Sequence, residues 1–377
     1  MILTQCAVCA TDLGLTRGKK CGRCNTRYCG AACQVQHWKE GGHDTLCKTI
    51  KRAGGAEQYD ANKKYAEAVA VAATACAEDT KGQTCYICTQ ALHWKTKEGL
   101  VRMCACRGTA GFAHVSCLAE QAKILVAEAE ENNLDVQSRW KRWHMWRRWD
   151  TCRLCEQDYH GVVSCALGWA CWKTYVGRPE ADDARPWAMT VLGNGLYAAS
   201  HFEDALSVRE ALLSTMRRIG ADEDILLDAQ SNVASAYADL GQLEKALSME
   251  RDIYSDSVQL LGEDHLDTSI SANNLARTLC ELSRFEETKT LLRKTIPVAR
   301  RTLGEIKDTT LTMRKTFAEA LYRDPGATLA DLREAVTTLE DTERTARRVF
   351  GDAHPITEGT EDELQDARAA LYARGLP

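Results

Sequence analysis

The sequence predicts a multidomain chain in which two small cysteine-rich, metal-stapled domains precede an all-α helical-repeat solenoid. Three observations predict it. Seventeen of the 18 cysteines lie before residue 172. From about Pro186 onward, Ala, Leu, Arg, Glu and Asp recur at helical spacing with almost no β-branched runs. That second half also repeats itself with a period near 42 residues. The chain has 377 residues, enough for two or three domains at about 100–200 residues each. Its 45% hydrophobic and 27% charged content is that of an ordinary globular protein. The net charge of −5 gives no bulk attraction to nucleic acid, which is not expected as a partner. The charge is divided: residues 1–160 carry +6 and residues 161–377 carry −11, so the two parts are expected to face different partners.

Cysteine is the main chemical fact. The first residues, MILTQCAVCA, show no basic start followed by an apolar stretch, so no secretory signal is expected. The longest apolar runs, near Ala68–Ala77 and Val162–Trp172, are far shorter than the ~20 residues that span a bilayer. The expectation is a soluble cytoplasmic or nuclear protein, not secreted. Dense cysteine there reads as metal binding, not disulfides.

Residues 1–48 read Cys6-x2-Cys9-x11-Cys21-x2-Cys24-x4-Cys29-x3-Cys33-x9-His43-x3-Cys47. Seven thiols and one imidazole make two sets of four, the donor set of two tetrahedral Zn²⁺ sites. All eight ligands are consumed, so neither site keeps an open catalytic position. With Tyr28-Cys29 and the run Cys33-Gln34…His37-Trp38…His43…Cys47, this stretch resembles the MYND zinc finger. The resemblance implies interleaved ligands: Cys6, Cys9, Cys29 and Cys33 on one zinc, and Cys21, Cys24, His43 and Cys47 on the other. It also implies that Gln34 and Trp38 contact a proline-containing peptide of a partner, although Trp38 could equally only cover the zinc site. His37 reads as a surface helix residue.

Residues 49–84 read as a helical linker, with Ala-rich spacing from Tyr59 to Ala77 and a break at Lys81-Gly82. The second cysteine block, residues 85–160, reads Cys85-x2-Cys88-x15-Cys104-x-Cys106-x7-His114-x2-Cys117-x34-Cys152-x2-Cys155. Its eight ligands again fill two closed tetrahedral sites, giving four Zn²⁺ per chain in all. The run from Cys104 to Leu118, with Cys152-Arg-Leu-Cys155…Tyr159, resembles the RING-CH (RING-variant) finger; a PHD finger shares the ligand order and is the structural rival. The resemblance implies Cys85, Cys88, His114 and Cys117 on one zinc and Cys104, Cys106, Cys152 and Cys155 on the other. It implies a ubiquitin ligase, with Ile87 as an apolar contact for a charged ubiquitin-conjugating enzyme. Many active RING domains carry a basic residue just after the last ligand, where this sequence has Glu156. A helix is expected from Leu118 to about Asn132.

The stretch Arg139–Trp149 places tryptophans at 140, 143, 146 and 149. On an α-helix, period three makes a slowly rotating stripe, expected to pack against the zinc domain or the following helices. Cys76, Cys165, Cys171 and Cys280 read as small buried hydrophobes. A connector, residues 161–186, leads to the repeats, residues 187–372. There Ser200–Leu206 aligns with Gly241–Leu247 and Ser283–Lys289, and Gly262-Glu-Asp-His265 with Gly304–Lys307 and Gly351–His354. Such periods signal stacked helical hairpins. They resemble tetratricopeptide repeats of the kinesin-light-chain-like kind, which implies a surface for a protein or peptide. The function expected is a substrate-selecting ubiquitin ligase that positions a charged conjugating enzyme and needs no catalytic nucleophile of its own. A non-enzymatic scaffold is the alternative.

Overall fold

The structure, a computed structural model, describes residues 5–11, 13–14, 17–131, 145–179 and 182–374. It divides into two compact units, Met1–Gly220 and Ala221–Pro377. The zinc-finger modules lie in the first and a helical repeat region forms the second. Fourteen helices and one two-stranded antiparallel sheet are seen among the described residues.

In the first unit, β1 (Lys19–Lys20) pairs with β2 (Arg27–Tyr28), and two short helices follow, α1 (Ala31–Lys39) and α2 (His43–Arg52). α2 buries His43, Cys47 and Ile50, one helical stripe, and leaves the opposite side to solvent. α3 (Ala56–Ala75) is the Ala-rich segment the sequence marks as helix. α4 (Val115–Glu131) begins inside the second cysteine block, three residues before the expected Leu118.

The apolar run Val162–Trp172 becomes the hub of the unit. It lies in α5 (Gly161–Tyr175), of which 11 residues of 15 are buried. A helix apolar on every side belongs inside a core. α3, α4 and α6 (Ala184–Ala198) pack against it, and α7 (Phe202–Ile219) packs on α6. Glycine sets the closeness of α5 and α6: a Cβ on Gly195 would stand 2.5 Å from the Ser164 carbonyl oxygen, so only hydrogen fits.

Trp146 and Trp149 close this core. Trp146 meets Tyr175 edge-on at 4.9 Å and lies parallel to Trp187 at 6.4 Å. Both pack against the following helices, as expected, but residues 147–150 form a turn, so the two tryptophans share no helical stripe. Trp140 and Trp143 lie outside the described residues.

The second unit contains α8 (Glu223–Asp239), α9 (Leu243–Leu261), α10 (Leu266–Glu281), α11 (Phe285–Thr302), α12 (Asp308–Arg323), α13 (Leu329–Phe350) and α14 (Pro355–Ala373). Each packs on its neighbour in sequence, and α8, α10, α12 and α14 also pack in succession, the arrangement of a solenoid. The 42-residue period reappears in the core: Ala234, Ala276 and Ala318 are all fully buried, and Tyr237, Leu279 and Leu321 are buried at the same step.

The turn between paired helices is built alike in both units. His201, Gln242 and Arg284 each donate a backbone bond to the carbonyl five residues earlier, the Schellman closure. That closure needs a positive φ, and Ser200 (+60°), Gly241 (+74°) and Ser283 (+58°) supply it, serine at two of the three positions. Gly262 differs from the left-handed cap its position suggests, because its φ of 88° comes with a ψ of 164°. The histidines of the acidic loops act locally. His265 Nδ1 accepts from the Asp267 amide, and His354 Nδ1 from the Ile356 amide, capping α10 and α14.

Candidate metal centres

Each ligand pair begins as a local backbone turn. Cys6, Cys21, Cys85 and Cys152 each donate their amide to the carbonyl five residues on and accept at their carbonyl from the amide four residues on. The residue that closes each turn has a positive φ: Ala10 (54°), Asn25 (62°), Thr89 (61°) and Glu156 (58°). None is glycine, so each carries backbone strain that the turn must hold. The Ile87 and Cys88 amides point at Cys85 Sγ at 3.4 and 3.5 Å, donors that favour a thiolate.

The turns converge with helix and strand ends into four groups. Cys6, Cys9, Cys29 and Cys33 form one, and Cys21, Cys24, His43 and Cys47 the second. Cys85, Cys88, His114 and Cys117 form the third, and Cys104, Cys106, Cys152 and Cys155 the fourth. Within each group the donor atoms lie within 4.8 Å of one another.

These spacings can be tested against an ion. Four sulfurs at about 2.3 Å from one zinc stand ~3.8 Å apart along the edges of a tetrahedron. Observed sulfur pairs are 3.5 Å for Cys9–Cys29, 3.4 Å for Cys29–Cys33, 3.8 Å for Cys21–Cys47 and 3.7 Å for Cys106–Cys152. They are too long for disulfides and right for a shared ion. His43 turns Nε2 toward its group, 3.4 Å from Cys24 Sγ; His114 turns Nδ1 inward, 3.4 Å from Cys88 Sγ. The clusters suit Zn²⁺, and with four protein donors in each, no position is left for substrate.

The surroundings fix these donors. His114 Nε2 lies 3.4 Å from the Ala91 carbonyl, which orients the ring. His37 is no plain surface residue: its Nδ1 lies 3.0 Å from the Tyr28 hydroxyl, and its ring packs 4.8 Å from that of His43. Burial and then the neighbouring His43 hold its pKa below the usual histidine value. Arg102 clasps Asp79 with two bonds of 3.0 and 2.8 Å, donates to the Gly108 carbonyl at 2.7 Å and lies over the Phe112 ring at 4.2 Å. It thereby ties the end of the linker to the loop after Cys106. Nothing in the sequence alone marked either residue for these contacts.

The residues expected to touch partners differ in exposure. Trp38 is 45% exposed, with its ring centre 5.8 Å from that of His43, and Gln34 is half-buried. Ile87, on the tip of its turn, is 36% exposed. Leu92, Trp94 and Leu154, on the same ligand-bearing segments, are exposed more fully, and sequence reasoning missed them. The signal for Trp94 was available: an indole in Ala91-Leu-His-Trp-Lys-Thr-Lys97, a polar stretch with no helical period, has no apolar face to join.

Comparison with known proteins finds three family matches along the chain. Family models match for a MYND finger over residues 6–47, a RING-variant domain over residues 85–133 and a tetratricopeptide repeat over residues 226–301. No curated protein matches the chain. Among solved structures, the chain is similar to tetratricopeptide-like repeats of a Podosopora anserina protein described as a kinesin-light-chain candidate, at 16% identity over 62% of this chain and 97% of that one, TM-score 0.36. It is similar to BtubC of P. vanneervenii, at 16% identity over 70% of this chain and 94% of that one, TM-score 0.37. It is also similar to a Rap protein complexed with competence and sporulation factor, at 13% identity over 68% and 73%, TM-score 0.37. The chain thus carries two zinc-finger modules and a tetratricopeptide repeat region, all of which suit protein partners. No helix among the described residues is long and apolar enough to cross a membrane.

Proposed function

We propose that the chain is a ubiquitin ligase whose second finger, residues 85–160, docks a ubiquitin-conjugating enzyme carrying ubiquitin as a thioester. The observation that carries this reading is Ile87, an apolar side chain left exposed on a turn whose two ends are metal ligands. Leu92, Trp94 and Leu154 extend the apolar character to neighbouring ligand-bearing segments. A closed zinc site does no chemistry itself. It holds a small loop rigid where the fold is too small to do so by core burial. Catalysis by such a surface is positioning: the ligase holds the thioester in a reactive conformation and supplies no nucleophile.

In this reading the first finger, residues 1–48, selects proteins through proline-containing segments held at Gln34 and Trp38. The repeats, residues 187–372, present a further protein-binding surface. The setting is the cytoplasm or nucleus. A second reading, a non-enzymatic scaffold, is favoured by Glu156, which puts a carboxylate where many active RING domains place a basic residue to clamp ubiquitin.

Autoubiquitination across a panel of conjugating enzymes separates the two. Transfer by the wild type that Ile87→Ala abolishes, with zinc content intact, supports the ligase. An apolar anchor at a docking centre is worth about 2 kcal/mol, roughly thirtyfold in affinity. Absence of transfer by both the wild type and Glu156→Arg decides for the scaffold.

A further inference from the structure

We propose that the first finger recognises a peptide that carries acidic residues beside its apolar anchor. This deepens, and rests on, the reading of Gln34 and Trp38 as a peptide surface. The positive charge of the chain is concentrated there. Residues 1–53 hold nine Lys and Arg against three Asp and Glu, whereas residues 54–160 balance at fourteen of each.

Lys39, Lys48, Lys51 and Arg52, on α1 and α2, and Lys19 and Lys20 on β1, are exposed, and none forms an ion pair among the described residues. The repeat unit treats its cations differently: Arg251 pairs with Glu287 at 2.8 Å, Arg301 with Asp264 at 2.6 Å, and Arg368 with Glu340 at 2.7 Å. Six exposed cations of this region are thus left unpaired among the described residues, whereas several exposed cations of the repeats are paired.

The charges on α2 are only partly balanced, by Asp44 four residues before Lys48. Lys51 and Arg52 stand three and four residues after Lys48, the spacings at which like charges face each other on a helix. Lys39, Lys51 and Arg52 lie at helix C-terminal ends, where the helix dipole favours them. That argument does not reach Lys48 or the two lysines of β1. A bound carboxylate would relieve the repulsion.

The same two helices expose Val35, Trp38 and Leu46. Exposed apolar and cationic groups on the same two helices fit a peptide with an apolar side chain and carboxylates beside it. They fit a single-stranded nucleic acid less well, because stacking platforms use several aromatic faces. Trp38 is the one exposed Trp, Tyr or Phe among the described residues of the finger.

The test is fluorescence anisotropy on the zinc-loaded full chain. Three labelled peptides share one proline-containing apolar centre, flanked by glutamates, by serines or by lysines. The expected result is that the glutamate peptide binds tighter than the serine peptide by at least about tenfold. Its affinity falls as salt rises from about 50 to about 300 mM, where screening shortens to a few ångströms. The triple variant Lys48→Glu, Lys51→Glu, Arg52→Glu, checked for zinc content, should erase that preference. If the variant loses its metal, the peptide comparison and its salt dependence decide alone. Equal binding of the glutamate and serine peptides overturns the acidic preference and leaves the peptide surface standing. Binding of none of the three overturns both. Tighter binding of an oligodeoxynucleotide than of the glutamate peptide overturns the proposal in favour of nucleic acid.

Discussion

Glu98 holds Ser116 at two points: Oε1 accepts from the Ser116 amide at 2.7 Å, and Oε2 from the Ser116 hydroxyl at 2.9 Å. Ser116 stands between the donors His114 and Cys117 at the start of α4, and Tyr65 of α3 reaches the same hydroxyl at 3.1 Å. A carboxylate thus caps a helix at whose start two of the four donors of a metal site stand, His114 just before it and Cys117 in its first turn. Glu98→Ala should destabilise the second finger by about 1–2 kcal/mol. The readout is the denaturation midpoint together with zinc release rate. Glu98→Gln should recover part of the loss, since its amide oxygen still accepts one bond. An unchanged melt in Glu98→Ala would show that the cap is ornamental.

Metal content should be four zinc ions per chain, one for each group of four donors. A chelator should unfold both fingers, because in closed structural sites the metal-binding free energy is folding free energy. Residues 221–374 contain no group of donors and should keep their helical circular dichroism. Cys29→Ser and Cys117→Ser should each lose metal from their own finger. Plasma emission spectrometry on purified protein checks the count, and two ions or fewer would remove one finger from the account.

Glu250 gives the repeats a pH dependence. It is 2% exposed on α9. Burial pushes its pKa up from 4.5 to about 7; Thr278 and Arg277 on α10 oppose the shift, and Glu281 and Asp239 reinforce it. The sign follows from proton uptake. Between pH 4.5 and about 7 the folded state holds a proton that the unfolded state has released, so stability falls as pH rises through that window and levels off above it. The full effect is on the order of 3 kcal/mol. Glu250→Gln should therefore stabilise the second unit at pH 8 and flatten its melting profile between pH 5 and pH 8, about the range of the titration. Parallel profiles for the wild type and variant would refute the assignment.

Lys289 and Asp324 form an enclosed ion pair of the repeats. Lys289 Nζ is 2.7 Å from Asp324 Oδ2, with side chains only 6% and 15% exposed. The pair joins α11 to the turn after α12, where Asp324 also accepts from the Gly326 amide at 2.8 Å. Removing one partner leaves a buried charge unmatched. Asp324→Ala should cost about 2–3 kcal/mol, because the more exposed Glu286 compensates only in part. Lys289→Met should cost less, since it removes the buried charge itself. Chemical denaturation of both variants checks the order, and a smaller loss for Asp324→Ala than for Lys289→Met would reverse the argument.

What the sequence determined by itself is local or periodic. The zinc donors are legible because a Cys-x2-Cys turn is closed within six residues by its own backbone, and no distant contact is needed to make it. The repeats are legible because successive units carry like residues at a fixed step, as at the buried Ala234, Ala276 and Ala318. Tertiary structure alone decided which residues meet across long separations. The sequence placed Trp146 and Trp149 on a helical stripe, but their positions come from the pocket that Tyr175 and Trp187 build around them. It placed His37 at the surface, whereas the Tyr28 hydroxyl and the His43 ring draw it over a metal donor. It read Val162–Trp172 only as a run too short for a membrane, and the packing of α3, α4 and α6 makes it the centre of a unit. The physical reason is the same in each case. Ligand spacing and helical period are properties of neighbouring residues, while burial is a property of whatever the rest of the chain brings alongside.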